Sequence, residues 1–373
     1  MKINFDFLNE YINIHSPGYV IEIYNNGKFF EKAVGYKSIM PVKKLCDTNT
    51  LYDIASLTKT FTATLIYIAY QENKLSLDNS VYEIDNDFIN LKKITIKDLL
   101  CHNQEIYTKG YLGETSSKVE FLNVLHSAYV KNNVPTYVDV HYIILSHLLE
   151  IIYGISFDKL IYNKICKPLN LTSVTFFPDS NNCASNEILY DYYNNIIDNE
   201  GIVNDKKARK AKEFGLCIGH AGLFCSGKDL LKFLISFLNC DLLSEEIIRL
   251  MLKHNNIEKF NLSILEKILN KTGNINDLYN ETKEMIPDIY IPLNYNYMGA
   301  RYKNKIIALN DVVMPSDNSI CFSGFTGPMY QIDFENKVII VIMCNLLYNT
   351  KLNRKERKDK MVEIIENIVT QIY

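Results

Sequence analysis

The chain carries β-strand patterns near both ends and helical patterns between them, and this arrangement restricts its fold more than any other feature. Residues 19–24 and 28–35 are β-rich, and the Asn25-Asn26-Gly27 segment between them is typical of a hairpin turn. Further strand patterns occur at 303–309, 319–323, 328–333 and 337–344. Because strands from both termini can pair in one sheet, we predict an α/β (α+β) fold with an antiparallel sheet flanked by helices.

The middle of the chain predicts an inserted, mostly helical subdomain. Apolar residues recur with a helical period at 56–73, 95–101, 118–130, 140–153 and 156–165. One more helix is predicted before the hairpin, and two others are predicted at 227–239 and at 354–371. The segment 245–290 shows no clear pattern. The predicted domains are a sheet domain of residues 1–60 and 210–373 and a helical domain of residues 61–209.

Composition excludes several classes of protein and partner. Hydrophobic residues make up 47% and charged residues 22%, which is usual for a folded globular protein. The 40 basic and 43 acidic residues give a net charge of −3, so no basic excess favours a nucleic acid partner. Oligomeric state is not indicated.

The cysteine pattern predicts neither a disulfide framework nor a metal site. The nine cysteines are odd in number and never form a C-x-x-C pair. Cys217, His220 and Cys225 lie close together in sequence, but their spacing matches no common zinc pattern and a fourth ligand is missing. We therefore expect no metal and no cofactor.

The sequence shows neither a secretion signal nor a membrane span. Residues 1–17 have an amphipathic pattern that includes Asp6 and Glu10, where a signal peptide has an apolar run. The most apolar stretches, 61–70 and 338–344, are far shorter than the roughly 18 to 20 residues that cross a bilayer. We expect a cytoplasmic protein without a membrane partner.

Ser56 and Lys59 form an S-x-x-K pattern where an extended run turns into a helix. Residues three apart on a helix share a face, so the Lys59 ammonium can reach the Ser56 hydroxyl. The first helical turn also supplies free N–H groups and positive potential. This arrangement can activate a serine nucleophile. Taken alone, however, the motif is better explained without catalysis, because S-x-x-K is expected by chance in a lysine-rich chain and Ser56 could be a simple helix N-cap.

Tyr137 lies between a loop and the apolar helix 140–153. A tyrosine there can act as a proton acceptor if a nearby lysine favours its phenolate, because the ordinary pKa of tyrosine is near 10. Taken alone, Tyr137 is better explained as a packing residue. Similarly, the segment 322–327 (FSGFTG) can present backbone N–H groups as an oxyanion hole or can form a plain β-turn.

Together these motifs resemble the serine β-lactamase and penicillin-binding-protein superfamily, and within it the class C β-lactamase-like hydrolases and esterases. The resemblance covers roughly residues 15 to 347. It includes Tyr137-Val138-Asp139, which is similar to the family's Y-S-N or Y-S-D motif. The other similar segments, in the family's order and spacing, are 53–59 (DIASLTK), 74–78 (KLSLD), 94–102 (ITIKDLLCH), 167–171 (KPLNL) and 219–224 (GHAGLF).

The resemblance implies a β-lactamase/transpeptidase-like fold with the active site in the cleft between the two predicted domains. Ser56 would be the acylated nucleophile, with Lys59 and Tyr137 sharing the proton transfers. The backbone N–H groups of Ser56 and Phe325 would form the oxyanion hole. Asp139, Phe322, Ser323 and Gly324 would contact the substrate.

Two departures from the family pattern bear on the substrate. Relatives carry Lys or His where this chain has Phe322 before Ser323 and Gly324, and that group attracts a substrate carboxylate. Its replacement should reduce activity toward β-lactams and D-alanyl-D-alanine peptides. The segment 102–105 (HNQE) replaces the usual His-Thr-Ser-Gly at the edge of the site. His220 would lie near the cleft and is expected to be a buried structural histidine.

The resemblance therefore implies a serine hydrolase that acts through an acyl-enzyme on a small ester, amide or lactone, and not an efficient β-lactamase. Two alternatives remain open. One is an acyltransferase or tailoring hydrolase in a specialised pathway. The other is a degenerate penicillin-binding or sensor-like protein with little turnover.

Overall fold

The computed structural model describes residues 3–133, 136–187, 189–190, 196–197, 199–253, 300–302, 313–348 and 352–373. Its strands are β1 Gly18–Asn25, β2 Lys28–Ser38, β3 Lys44–Leu45, β4 Tyr52–Asp53, β5 Glu105–Tyr107, β6 Tyr129–Asn132, β7 Leu189–Tyr190, β8 Ile196–Ile197, β9 Phe224–Cys225, β10 Arg301–Tyr302, β11 Ser319–Ser323, β12 Met329–Asp333 and β13 Val338–Cys344.

The α-helices are α1 Thr58–Gln71, α2 Val81–Ile84, α3 Ile96–Leu100, α4 Lys118–His126, α5 Val140–Tyr153, α6 Phe157–Ile161, α7 Lys167–Leu169, α8 Lys206–Glu213, α9 Gly227–Asn239, α10 Glu245–Met251 and α11 Arg354–Ile372. Short 3₁₀ turns occur at Asp6–Glu10, Ala55–Leu57, Leu112–Glu114, Ser180–Asn182 and Leu346–Tyr348, and a π-helical turn at Tyr162–Cys166.

Strands from both ends of the chain form the main sheet, as predicted. Among the described residues it has seven strands in the order β10, β11, β12, β13, β1, β2, β3, and every neighbouring pair is antiparallel. The β1–β2 hairpin turns at Asn26 and Gly27, both at positive φ, and pairs Asn25 with Lys28. The antiparallel sheet with flanking helices confirms the predicted fold class.

The central strands of the sheet are buried on both faces, which explains their apolar character. One side of β1 and β13 packs with the C-terminal helix α11, where Ile364, Ile365 and Ile368 are buried. The opposite side packs with α9 and the larger core that contains α1 and α5. The site residues on α1 are therefore held in place by a rigid, packed interior.

Most helices follow the periodicity, with three differences. The helix predicted ahead of the hairpin is only the 3₁₀ turn Asp6–Glu10. The helix predicted over 118–130 ends at His126, because Tyr129–Asn132 pairs instead with Glu105–Tyr107 as a small antiparallel ribbon. The segment predicted as a helix over 156–165 changes from an α-helix to a π-helical turn at Tyr162. The predicted strand at 303–309 and most of 245–290 lie outside the described residues, and the division into two domains stays a prediction.

Among the described residues, no single helix is both long and apolar enough to cross a membrane. The helix pair Val140–Tyr153 and Phe157–Leu169, which is bent by 78°, meets those criteria only by length and composition.

Candidate active site

Ser56 lies in the 3₁₀ turn Ala55–Leu57, between β4 and α1. The preceding residue, Ala55, is buried and has a φ of +43°, a left-handed conformation that costs a non-glycine residue ~1–3 kcal/mol. Its N–H donates to the buried Asp53 carboxylate at 2.9 Å, which stabilises the turn. The strained turn leaves Ser56 half-buried at the start of an otherwise buried helix.

The Lys59 side chain is fully buried, and its ammonium is held by hydrogen bonds on several sides. Its Nζ donates to Ser56 Oγ at 3.0 Å, to Asp139 Oδ1 at 2.9 Å and to the His220 carbonyl at 3.1 Å. A buried ammonium is stable only with such partners. The spacing of one helical turn therefore brings the lysine to the serine as predicted.

Tyr137 reaches the same ammonium from the loop before α5. Lys59 Nζ lies 4.9 Å from the centre of the Tyr137 ring, and the two side chains also share a hydrogen bond. The ring of His102 packs against Tyr137 at 4.6 Å. The structure thus brings Ser56, Lys59 and Tyr137 together, while their catalytic roles stay predictions.

The charges around Lys59 determine its protonation. Burial by itself lowers the pKa of Lys59, but the negative charge of Asp139, assisted by Tyr137, outweighs burial and holds that pKa above its ordinary value. Lys59 is therefore an ammonium at neutral pH in this state. Before it can accept a proton from Ser56, it has to pass its own proton on.

Sequence reasoning missed a second lysine at the site. Lys207 Nζ lies 3.1 Å from Asp139 Oδ2 and 3.1 Å from Asp205 Oδ2. Asp205 Oδ1 also pairs with His220 Nε2 at 2.9 Å. Because the α8 sequence is rich in lysine, no local pattern singles out Lys207, and Asp205 is recognisable from the sequence only as a possible helix N-cap.

The two carboxylates of this network are held in their ionised form. Burial raises the pKa of Asp139, but the charges of Lys59, His220 and Lys207 overcome it and hold that pKa well below its ordinary value. Burial also raises the pKa of Asp205, but His220 and then Lys207 outweigh it and hold that pKa below its ordinary value. Donor atoms of Asp139, Asp205 and His220 lie within 4.8 Å of one another, as in a metal site, but the Lys207 ammonium already bridges the two carboxylates.

The 322–327 turn is fastened directly to the nucleophile segment. A Cβ on Gly324 would lie 2.5 Å from the Ile54 carbonyl oxygen and 3.3 Å from the Cβ of Ala55, so only glycine fits there. The Thr326 hydroxyl donates to the Asp53 carbonyl at 2.6 Å. Ser323 and Phe325 are exposed beside it. This proximity agrees with an oxyanion hole built from Ser56 and Phe325, which stays a prediction.

The side chain of Phe322 packs in the core, although its strand leads to the site. It is 5% exposed and lies opposite Tyr330 in the sheet, with ring centres 6.5 Å apart. The Tyr330 hydroxyl bonds with Thr60, the residue after Lys59. The predicted substrate contact of Phe322 stays untested, whereas its ring clearly supports the packing beneath α1.

His220 and the nearby cysteines have structural surroundings. His220 is 1% exposed and bonds through Nε2 to Asp205, in agreement with the buried role expected for it. Cys217 and Cys225 are buried thiols, and burial raises the pKa of Cys225 well above its ordinary value.

Comparisons with known proteins place this geometry in context. A family model described as Beta-lactamase matches residues 8–361. The chain is 24% identical over 376 residues to a putative D-alanyl-D-alanine carboxypeptidase of Salmonella agona, covering 90% of this chain and 80% of that protein. It is 28% identical over 167 residues to a teichoic acid D-alanine hydrolase of Staphylococcus aureus, covering 43% of this chain and 41% of that protein.

The solved structures show the same fold. EstCE1, described as a hydrolase with promiscuous acyltransferase activity, superposes with a TM-score of 0.69 at 15% identity, covering 96% of each chain. At this identity, the likeness concerns the fold alone. The predicted superfamily is thereby confirmed on both the sequence and the fold.

Proposed function

The chain belongs to the β-lactamase family of serine hydrolases, and on this premise we propose that Ser56 attacks a small ester, amide or lactone and forms an acyl-enzyme. The observation that carries the proposal is the 3.0 Å hydrogen bond between Lys59 Nζ and Ser56 Oγ, with Tyr137 bound to the same ammonium. A serine becomes a nucleophile when a base within this distance takes its proton. Lys59 and Tyr137 form that base as one coupled unit.

In the proposed reaction, the Lys59–Tyr137 unit first loses one proton to water. The Ser56 proton then passes to the unit while Oγ bonds to the substrate carbonyl carbon. The leaving alcohol or amine takes a proton from the same unit as its bond to the acyl carbon breaks. Water then attacks the acyl-enzyme, gives its proton to the unit and releases the acid, and Ser56 regains its hydrogen. The N–H groups of Ser56 and Phe325 would stabilise the oxyanion in each step.

The proposed substrate lacks a free carboxylate near the reacting carbonyl. Phe322 supplies no cation to bind a carboxylate, and its ring is buried in the core. Lys207 does not replace that cation, because Asp139 and Asp205 already hold its ammonium. Esters of small acyl groups therefore fit better than D-alanyl-D-alanine peptides or β-lactams, whose recognition uses a carboxylate.

Intact-mass spectrometry after exposure to a fluorophosphonate tests the nucleophile. We expect one adduct, mapped to Ser56 by peptide analysis, and none in Ser56→Ala. Ser116→Ala, which removes an exposed hydroxyl outside the site, should label like the wild type. Unchanged labelling of Ser56→Ala would refute the proposal.

A substrate panel tests the preference. A D-alanyl ester and a D-alanyl-D-alanine peptide form a suitable pair, because the two relatives described above are named for D-alanine chemistry. We expect turnover of the ester to exceed that of the peptide by at least about tenfold, as for a substrate whose charged group is left unpaired. Faster turnover of the peptide would contradict a substrate without a carboxylate.

Acyl transfer is the second candidate, favoured by the fold shared with EstCE1 and by the chemistry, which is identical up to the acyl-enzyme. Adding amines or alcohols to a turnover assay separates the two. A transferase would divert product to the acceptor and speed turnover of an activated ester. An acyl-enzyme that forms but persists would instead favour the sensor-like alternative.

A further inference from the structure

Three side chains outside the Ser56 site direct their donor atoms at one point. Asp85 Oδ2 lies 3.1 Å from His126 Nε2 and 3.0 Å from His147 Nε2. The two Nε2 atoms are 3.4 Å apart. The triangle is therefore formed by one carboxylate oxygen and two imidazole nitrogens.

These three residues come from different elements that hold them in place. Asp85 directly follows α2, His126 is the last residue of α4, and His147 lies within α5. The buried Phe88 ring packs edge-on against both imidazoles, with centres 4.8 Å and 6.0 Å away. The other Asp85 oxygen, Oδ1, accepts the N–H of Asp87 at 3.1 Å, which fixes the carboxylate plane.

Protons alone satisfy this triangle poorly. If both histidines donate Nε2–H to Asp85 Oδ2, the two N–H groups crowd onto one oxygen while their nitrogens lie only 3.4 Å apart. A cation bound by all three atoms removes both protons and the conflict. Tetrahedral Zn²⁺ with ligands at 2.0–2.1 Å sets neighbouring ligand atoms ~3.3 Å apart, close to the three separations observed.

We propose that Asp85, His126 and His147 form a binding site for a divalent transition cation of the zinc type. The side chains are 10%, 18% and 18% exposed, so an ion can enter and keep a water molecule as its fourth ligand. The bound ion joins α2, α4 and α5. Since His147 lies eight residues after Asp139, the site is ~12 Å along α5 from the Ser56 network and does not depend on the proposed function.

Titration of the full-length, metal-free protein with Zn²⁺ and with Co²⁺ tests the site. We expect one equivalent of Co²⁺ to give the visible d–d absorption of a tetrahedral nitrogen and oxygen site, without the near-ultraviolet band of a thiolate ligand. At Zn²⁺ concentrations ~100-fold above Kd, Tm should rise by about 3 °C.

Variants assign the signal to these residues. His126→Gln and His147→Gln each keep a polar side chain of similar size, and each should weaken Zn²⁺ binding by at least ~100-fold, since even outer-shell changes cost 10–100-fold. Asp87→Asn removes a nearby exposed charge without removing a ligand, and should bind Zn²⁺ like the wild type. Retention of the Co²⁺ spectrum in the His126→Gln/His147→Gln double variant, or no binding by the wild type, would overturn the proposal.

Discussion

Lys207 binds the Asp139 carboxylate oxygen that Lys59 leaves unbound. Lys59 Nζ lies 2.9 Å from Oδ1, and Lys207 Nζ lies 3.1 Å from Oδ2. The carboxylate therefore couples the proposed base of the site to a second lysine contributed by a helix almost 150 residues further along the chain. Removing the negative charge of Asp139 should therefore lower the pKa of Lys59, and removing the positive charge of Lys207 should raise it.

Asp139→Asn should move the activity profile to lower pH. The amide keeps the size of Asp139 and can still accept a hydrogen bond from Lys59, but the charge that raises the pKa of Lys59 is gone. In a plot of kcat/KM against pH, the midpoint of the acid limb should shift to lower pH by ~1–2 units. A limb that stays in place would show that Asp139 does not govern the proposed base.

Lys207→Met should move the same limb to higher pH. Without the second cation, Asp139 acts on Lys59 uncompensated and the repulsion between the two ammonium groups disappears, so the pKa of Lys59 rises further. The activity of Lys207→Met should therefore be below that of the wild type at pH 7 and should return to the wild-type level at alkaline pH. Lys206→Met is the matched control, because Lys206 is exposed next to it in the sequence. A shift in the same direction as that of Asp139→Asn would contradict the coupling.

Asp205→Asn should destabilise the protein more at pH 7 than at pH 3. The native pKa of Asp205 is held below its ordinary value by His220, Lys207 and the N–H of Ala208, despite burial. The stability from this group is therefore present above the unfolded pKa near 4 and is lost as pH falls toward the lower native pKa.

Urea denaturation at the two pH values measures this difference. We expect a loss of ~1–3 kcal/mol at pH 7 that shrinks at pH 3. Asp78→Asn, an exposed carboxylate, should show little change at either pH. An equal loss at both pH values would mean that the effect comes from the shape of the side chain and not from its charge.

Gly324→Ala should disturb the nucleophile turn. The new Cβ would lie 2.5 Å from the Ile54 carbonyl oxygen, so backbone must move next to Ser56. A displacement of ~1 Å can lower kcat/KM about a hundredfold. Gly110→Ala is the control, because its Cβ approaches only the Val124 side chain, at 3.3 Å. Comparable activity of the two variants would show that the close approach at Gly324 is not needed.

Phe322→Lys should destabilise the protein without creating turnover of carboxylate-bearing substrates. The position is 5% exposed and packs on Tyr330, so a lysine there buries a charge at a cost of ~3 kcal/mol or more. Phe322→Leu should cost only ~1 kcal/mol. Thermal melts and hydrolysis of a D-alanyl-D-alanine peptide measure both effects. A large gain on that peptide would instead support a former enzyme that has lost its cation.

The elements that could be predicted from the sequence are those formed by neighbours along the chain. The helices 140–153 and 227–239 have the predicted bounds, because an apolar stripe, an N-cap such as Ser226 and a C-terminal Gly154 are all local signals. The approach of Lys59 to Ser56 is likewise a local property of one helical turn. The motif order then allowed Tyr137 to be added by resemblance.

Contacts between distant segments could not be predicted in this way. The strand at Tyr129–Asn132 replaced a predicted helix because its partner at Glu105–Tyr107 provides hydrogen bonds that no local pattern shows. Lys207 and Asp205 entered the site, and Asp85, His126 and His147 converged, only through packing of separate elements. Periodicity and caps depend on residues within a few positions of one another, so the sequence by itself determined the helices, the hairpin and the Ser56–Lys59 pair. Charge networks depend on distance in space, which only the tertiary structure decided.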